Sequence, residues 1–301
     1  MAYTIHMLRQ KLLRTRILLP LAALFGLLLY WRPWQPPIHI VERFNPTDGA
    51  VMVRVPAGKF RMGTSNAPEA KEEMLQKNWR ALGNTLLRTL RGEAGSNEQP
   101  VHTVFLDTYW IYKNDVTVAQ YRNYCKATGQ QMPPAPPWGW HDDHPIVNVT
   151  WQDATDYAKW AGAALPTEAQ WEKAARGTDG RIYPWGNDWD ETKCSNSVDG
   201  NACGTSPVGS FPTGSSPYGC LDMVGNVWQW CVDWYDEGYY KTSPTKNPSG
   251  PAIGRTRVLR GGSWDNNAPR NLRVTYRYGY SPPPNRNSDL GFRCVCAGSG
   301  P

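Results

Sequence analysis

From Val51 the chain alternates apolar and polar positions through VMVRVPAGKFRMG, the period-two pattern of a strand, a turn and a second strand. Residues 69–91 change period. Leu75, Trp79, Leu82, Leu86 and Leu90 recur at three- and four-residue steps, which predicts a helix opening near Pro68 and ending at Gly92. Strand-like alternation returns in VHTVFLDTYWIYKNDV (101–116). Three further helices are marked at both ends. Thr117 with Gln120 forms a capping box for a helix that stops at Gly129. Thr150 opens a second, carrying Trp151, Ala154, Tyr157, Ala158 and Ala161, and Gly162 closes it. Thr167 with Gln170 opens a third, closed by Gly177. Residues 183–218 have almost no periodicity and read as a long loop, which needs a metal or a disulfide to hold it. Short strands around Trp228, Val258 and Phe292 complete an α+β class with much irregular structure.

The N-terminus has a different pattern. Ile17 to Trp31 is an uncharged, largely apolar run of 15 residues, just short of the ~17–25 of a spanning helix. Arg9, Lys11, Arg14 and Arg16 precede it, and Arg32 follows. The asymmetry predicts a cytoplasmic basic stub (1–16), a transmembrane signal anchor (17–31), a Pro-rich stalk (32–50) and a periplasmic or extracytoplasmic domain (51–301) with a helical insertion at about 66–95. A cleaved signal peptide and a buried helix are the competing readings. The following WRPWQPP lacks a small-x-small cleavage site.

Charge sharpens this division. The net charge is +6, and five of the 32 Lys and Arg lie in the first 32 residues, which hold no acid. The rest of the chain is nearly neutral, so no nucleic-acid-binding stripe is implied. With 28 Gly, 26 Pro, 15 Trp and 15 Tyr in 301 residues, the chain is neither disordered nor collagen-like but loop-rich, with an aromatic interior or cleft. Seven cysteines fit an exported, oxidising compartment, and the odd number leaves at least one thiol unpaired within the chain. Cys194 and Cys203 bracket a polar loop that a local disulfide would close; the other reading is that several cysteines are small buried hydrophobes.

Eight blocks then occur in order: MVRVPAGKFRMG (52–63), KNDVTVAQY (113–121), HPIVNVTWQDATDYAKWAG (144–162), LPTEAQWEKAARG (165–177), YPWGN (183–187), YGCLDMVGNVWQW (218–230), RVLRGGSW (257–264) and GFRC (291–294). Over about residues 50–297 the chain resembles the formylglycine-generating enzyme, or sulfatase-modifying factor, family. The resemblance implies a fold related to C-type lectins, a short mixed sheet and a cleft near the C-terminal segment. It also implies an oxidation of a sulfatase cysteine to formylglycine by two copper-binding cysteines, in the family pattern GGS-x-x-C-x-x-x-x-C. Laid on Gly261, Gly262 and Ser263, those positions are Asn266 and Asn271. An amide supplies no thiolate, and soft Cu(I) wants soft ligands. No copper and no formylglycine-generating activity are therefore expected. The helix cysteine that the family pairs with GFRC is Ala158 here, so Cys294 pairs elsewhere or stays free. The family's NEVT is here Asn114, Asp115, Val116 and Thr117.

Other family sites keep their residue types. DMVGNVWQW matches a calcium site, with Asp222 and Gln229 through side chains and Gly225 and Val227 through carbonyls; Gln229 stands where the family usually has Glu. A second calcium site maps to Asn196, Ser197, Asp199 and Asn201. Each has an alternative: a Gly-containing turn packed by Trp228 and Trp230, and an Asx-rich solvated loop. His141 and His144 are three apart, but His144-Pro145 is an ordinary family block, and no third ligand cluster accompanies them. The segment after GGSW mixes Asn, Arg and Tyr and resembles the variable segment of binding proteins diversified by retroelements. Arg273, Arg277 and Arg293 are expected to pair with buried carboxylates. The function expected is a membrane-anchored binding or accessory subunit of a membrane protein complex. The alternative is a divergent oxidase or maturation enzyme using Trp228, Ser263, Arg270 and Tyr276 in the same cleft. The inserted helix packs on its own domain or docks on a membrane partner.

Overall fold

A computed structural model describes residues 39–64, 95–198, 200, 203–279 and 282–298. The expected anchor at 17–31, the start of the stalk, the helix predicted over 69–91, and Asp199 and Asn201 lie outside the described residues. Among the described residues no helix is long and apolar enough to cross a membrane.

Strands β1 (Glu42–Phe44), β2 (Val51–Val55), β3 (Gly58–Met62), β4 (His102–Leu106), β5 (Tyr109–Tyr112), β6 (Trp228–Trp234), β7 (Arg257–Arg260), β8 (Leu290–Gly291) and β9 (Val295–Ala297) form three small sheets. The first is antiparallel in the order β1-β2-β5-β9, the second is β3-β4, and the third is β7-β6-β8 with β6 and β8 parallel. The alternation from Val51 thus marks two strands, but they are not partners. Ala57 donates its N–H to Thr108 Oγ1 at 3.0 Å, and Lys173 Nζ reaches the carbonyls of Pro56 and Gly58. The bend between β2 and β3 is held by those side chains, and each strand pairs elsewhere. Period-two alternation reports faces, not neighbours.

The three helices fall where their caps predict: α1 (Val118–Thr128), α2 (Trp151–Trp160) and α3 (Glu168–Arg176). All three begin in complete capping boxes, Thr117 with Gln120, Thr150 with Asp153 and Thr167 with Gln170. Gly129 ends α1 in the left-handed conformation at φ 76°. Residues 183–218 are indeed mostly irregular, with two short 3-10 turns.

The core is aromatic and ionic together. Trp171 and Trp230 are fully buried, as are Tyr109, Tyr112 and Tyr157. Helix α3 buries Glu168, Glu172, Lys173 and Arg176. Each charge has its partners, as burial demands. Arg277 holds both oxygens of Glu168 at 2.7 and 2.9 Å, Arg260 and Arg176 bind Glu172, and Arg273 forks onto Glu98 at 2.6 and 2.7 Å. The expected pairing of Arg273 and Arg277 with buried carboxylates is present, and Arg293 pairs with Asp115 at 3.0 Å.

All seven cysteines carry free thiols. The disulfide suggested between Cys194 and Cys203 is not formed. Cys194 is turned into the core beside Met223 and Val224, whereas Cys203 is exposed. Cys294 is free and buried, packed against α2 where Ala158 replaces a possible partner.

Candidate functional site

Strand β7 runs into a turn that no other residue types could make. Gly261 and Gly262 have φ of 97° and 73°, and a Cβ on Gly262 would lie 2.6 Å from Leu272 and 2.7 Å from Asn266 Oδ1. The turn is closed by Ser263 donating its N–H to Asn266 Oδ1 at 2.8 Å, and by Asn266 N–H on the Ser263 carbonyl at 3.1 Å. Ser263 is fully buried, and its hydroxyl makes no hydrogen bond among the described residues. Asn271 lies in the 3-10 turn Pro269–Leu272, its N–H on the Ala268 carbonyl. The loop carrying Asn196 and Ser197 docks on this turn: Ser197 donates its N–H to the Asn266 carbonyl at 3.0 Å. Asn196 uses its own Oδ1 to accept from Val198 N.

The DMVGNVWQW block lies behind that turn. Asp222 is buried; Oδ2 accepts the N–H of Gly209 at 2.6 Å, and Oδ1 has no hydrogen bond among the described residues. Burial pushes its carboxyl above the ordinary range, against the Gly209 hydrogen bond and the nearby Arg293. Gln229 Oε1 accepts from Trp171 Nε1 at 2.6 Å and from Arg293 Nε at 2.7 Å, while its Nε2 donates to the Asp222 carbonyl. A Cβ on Gly225 would lie 2.2 Å from the Ser195 carbonyl oxygen, so only glycine fits. The block therefore places Asp222, Gly225 and Val227 in one buried turn and Gln229 at the start of β6 behind it.

A cavity of about 630 Å³ opens beside the Ser263–Asn266 turn. Loop residues Trp138, His141 and His144 form one wall, Phe211 another, and Cys194, Ser195, Asn196, Cys203 and Thr205 belong to the loop opposite. Its shape is fixed by internal contacts. Trp138 meets Trp264 edge-on at 5.4 Å, and a Cβ on Gly204 would come within 2.9 Å of the Trp138 ring. His144 Nδ1 lies 2.9 Å from Thr205 Oγ1, and the His141 and His144 rings are 4.9 Å apart. Burial lowers the His144 pKa; Asp143 opposes this, and His141 adds to it. Asn226 and Ser206 exchange hydrogen bonds at 3.0 and 3.1 Å.

Of the residues singled out in the sequence, His141, His144, Cys194, Asn196 and Cys203 line this cavity, and Asn196 is the one among them proposed as a calcium ligand. Trp228 is buried, 6.0 Å from Tyr276 and stacked on Tyr278 at 5.0 Å. Ser263 is buried and Arg270 exposed, its carbonyl accepting from Arg273 Nε. These four do not converge on the cavity. Trp138, Glu191 and Phe211 were missed; the signal was the aromatic and His run PWGWHDDH beside the irregular loop. Among the described residues no group of three His, Cys, Asp or Glu is assembled to hold a metal.

Residues 39–297 match the family model described as the sulfatase-modifying factor enzyme 1-like domain. The formylglycine-generating enzyme of Streptomyces coelicolor is 33% identical over 315 residues, covering 83% of this chain and 90% of that protein. The inactive C-alpha-formylglycine-generating enzyme 2 of Mus musculus is 28% identical over 327 residues, covering 91% and 93%. The solved structure of PvdO from Pseudomonas aeruginosa superposes with a TM-score of 0.67 at 25% identity, covering 87% of this chain and 98% of that one.

Proposed function

The chain belongs to the sulfatase-modifying factor family, and from that premise we propose that it is a binding or accessory module rather than a formylglycine-generating enzyme. In this reading its N-terminal run tethers it to a membrane, with the domain on the periplasmic or extracytoplasmic side and a membrane protein complex as partner. The observation that carries the reading is Asn266. It stands at a family copper-cysteine position, and its amide oxygen is committed to the N–H of Ser263. Asn271 stands at the other. Two carboxamides do not fit Cu(I), so no step through copper follows. The murine relative whose name marks it inactive supports a member of this fold that does not generate formylglycine.

Calcium fits the first candidate turn in part. Asp222 Oδ1 is buried with an open lone pair, and the carbonyls of Gly225 and Val227 lie in the same block. Gln229 Oε1 already accepts two hydrogen bonds, so its part is to orient Arg293 and Trp171. Asp222, Gly225 and Val227 would hold the ion, which supplies positive charge to a buried carboxylate. The Asn196–Ser197 loop is the second proposed calcium site.

The test is direct. Purified protein is incubated with a cysteine-containing sulfatase peptide, copper and oxygen, and the peptide is weighed by mass spectrometry. No conversion is expected; formylglycine in the product would overturn the reading. Extraction in mild detergent should recover a partner, and a lone monomer would count against the accessory role. The second reading, a divergent oxidase, is favoured by the buried Ser263 hydroxyl, which makes no hydrogen bond among the described residues. Oxygen uptake with a candidate substrate, lost in Ser263→Ala, would establish it.

A further inference from the structure

We propose that the cavity between the Trp138–His144 loop and the segments Glu191–Asn196 and Cys203–Ser206 binds a ligand bearing an ammonium group on a flat apolar body. This deepens the binding-module reading by naming what its cleft takes.

Charge decides the sign of the ligand. Among the described residues that line the cavity, Glu191 is acidic and none is Lys or Arg. The basic groups flanking it are committed elsewhere: Arg122 pairs with Asp142, and Lys193 with Asp190. The two imidazoles do not reverse this. Burial holds His144 toward its neutral form, and His141 beside it makes a doubly charged pair unfavourable. An anion entering here would be desolvated with no cation to meet it, whereas an ammonium meets the carboxylate of Glu191.

The walls decide the rest. The indole of Trp138 is held in place by Trp264 at its edge and Gly204 beneath it. Phe211 lines the same space. Aromatic faces attract a cation, and they also stack on a flat apolar group. Ser195, Thr205 and Ser206 give hydroxyl oxygens that accept from an ammonium, and their backbone is fixed before the ligand arrives by the Asn226–Ser206 exchange and the Asn226 N–H on the Ser195 carbonyl at 3.0 Å. Little ordering is left to oppose binding. The neighbouring Asn-, Arg- and Tyr-rich segment has the opposite chemistry, with Arg270 exposed, so the two surfaces select different partners.

Three probes share one body and differ in charge: phenethylamine, 2-phenylethanol and phenylacetate. Each is titrated calorimetrically into the full chain in mild detergent at pH 7.5 and fixed ionic strength. Phenethylamine is expected to bind roughly tenfold tighter than the alcohol, with no detectable heat from phenylacetate. Trp138→Ala should weaken phenethylamine about tenfold, Trp138→Phe should recover most of the loss, and Glu191→Gln should weaken it about threefold. Arg270→Gln should leave it unchanged. The proposal is overturned if phenylacetate binds as well as phenethylamine, if no probe binds, or if Glu191→Gln and Trp138→Phe both bind as the native chain does while Trp138→Ala folds and does the same. The titration needs no partner, so failure to recover a complex and failure to bind the probe are separate results.

Discussion

Asn266 Oδ1 accepts the backbone N–H of Ser263 at 2.8 Å, so the residue at the first family copper-cysteine position closes the turn it sits in. Asn266 is therefore a structural acceptor. Asn266→Ala leaves the Ser263 N–H of a buried residue without its partner, at a cost of about 1–3 kcal/mol. Asn266→Asp keeps an acceptor in place and should cost less. Urea unfolding of the two variants checks this order; equal midpoints would show that the hydrogen bond contributes nothing.

Asp222 gives a prediction about ion removal. Its Oδ1 is buried and has no hydrogen bond among the described residues, and a bound cation would complete it. Chelation with EGTA is expected to lower the melting temperature of the native chain by several degrees, and added calcium to restore it. Asp222→Asn should lose the part of that response that belongs to this turn, so that EGTA lowers its melting temperature less than that of the native chain. An unchanged native melting temperature under chelation would remove calcium from this turn.

Arg293 tests the packing behind the site. Its guanidinium is fully buried and donates to Gln229 Oε1 at 2.7 Å, to Asp115 Oδ1 at 3.0 Å, and to the carbonyls of Tyr112, Lys113, Leu221 and Asp222 at 2.8 to 3.1 Å. A lysine presents three donors at one point and cannot reach this set. Arg293→Lys should cost about 3–5 kcal/mol, because Asp115 Oδ1 and the buried carbonyls around it are left with too few donors. Asp115→Asn should relieve part of the loss, measured as a positive coupling in a double-mutant cycle by urea unfolding. Strictly additive costs would show that the pair is not the reason.

The particular elements show what a sequence makes legible. The starts of α1, α2 and α3 were readable because a capping box is a local hydrogen-bond exchange between residues three apart. Arg273 and Arg277 were readable as core residues because a cation among apolar and aromatic neighbours needs a carboxylate, although their partners Glu98 and Glu168 lie more than a hundred residues away. Strand pairing was not readable: β2 and β3 follow each other yet join different sheets, since alternation carries no information about the neighbour. The cavity was not readable either. Trp138 and Cys203 are brought together by irregular loops whose course is set by contacts such as Gly204 under Trp138, and no periodicity encodes these.

Asp233 makes stability depend on pH. Its Oδ2 accepts the N–H of Glu168 at 2.8 Å, at the start of α3. Burial, and then the charge of Glu168, push its carboxyl up to about 7. Glu168 itself stays below the usual carboxylate range: burial works against this, and Arg277 and Arg260 overcome it. An unfolded aspartate titrates near ~3.9. Between the two values the folded chain holds a proton that the unfolded chain releases. The resulting stabilisation is fully present below about pH 4 and is lost as pH rises through about 7, on the order of 2–4 kcal/mol for this group. Asp233→Asn keeps an oxygen for the Glu168 N–H and removes the titration. Its stability relative to the native chain should therefore improve from pH 5 to about pH 7, level off by pH 8, and there equal or exceed that of the native chain. Thermal melts of both proteins across that range check the difference, which cancels the other titrating groups. A difference that stays flat with pH would show that Asp233 is ionised throughout and that its burial is offset by its neighbours.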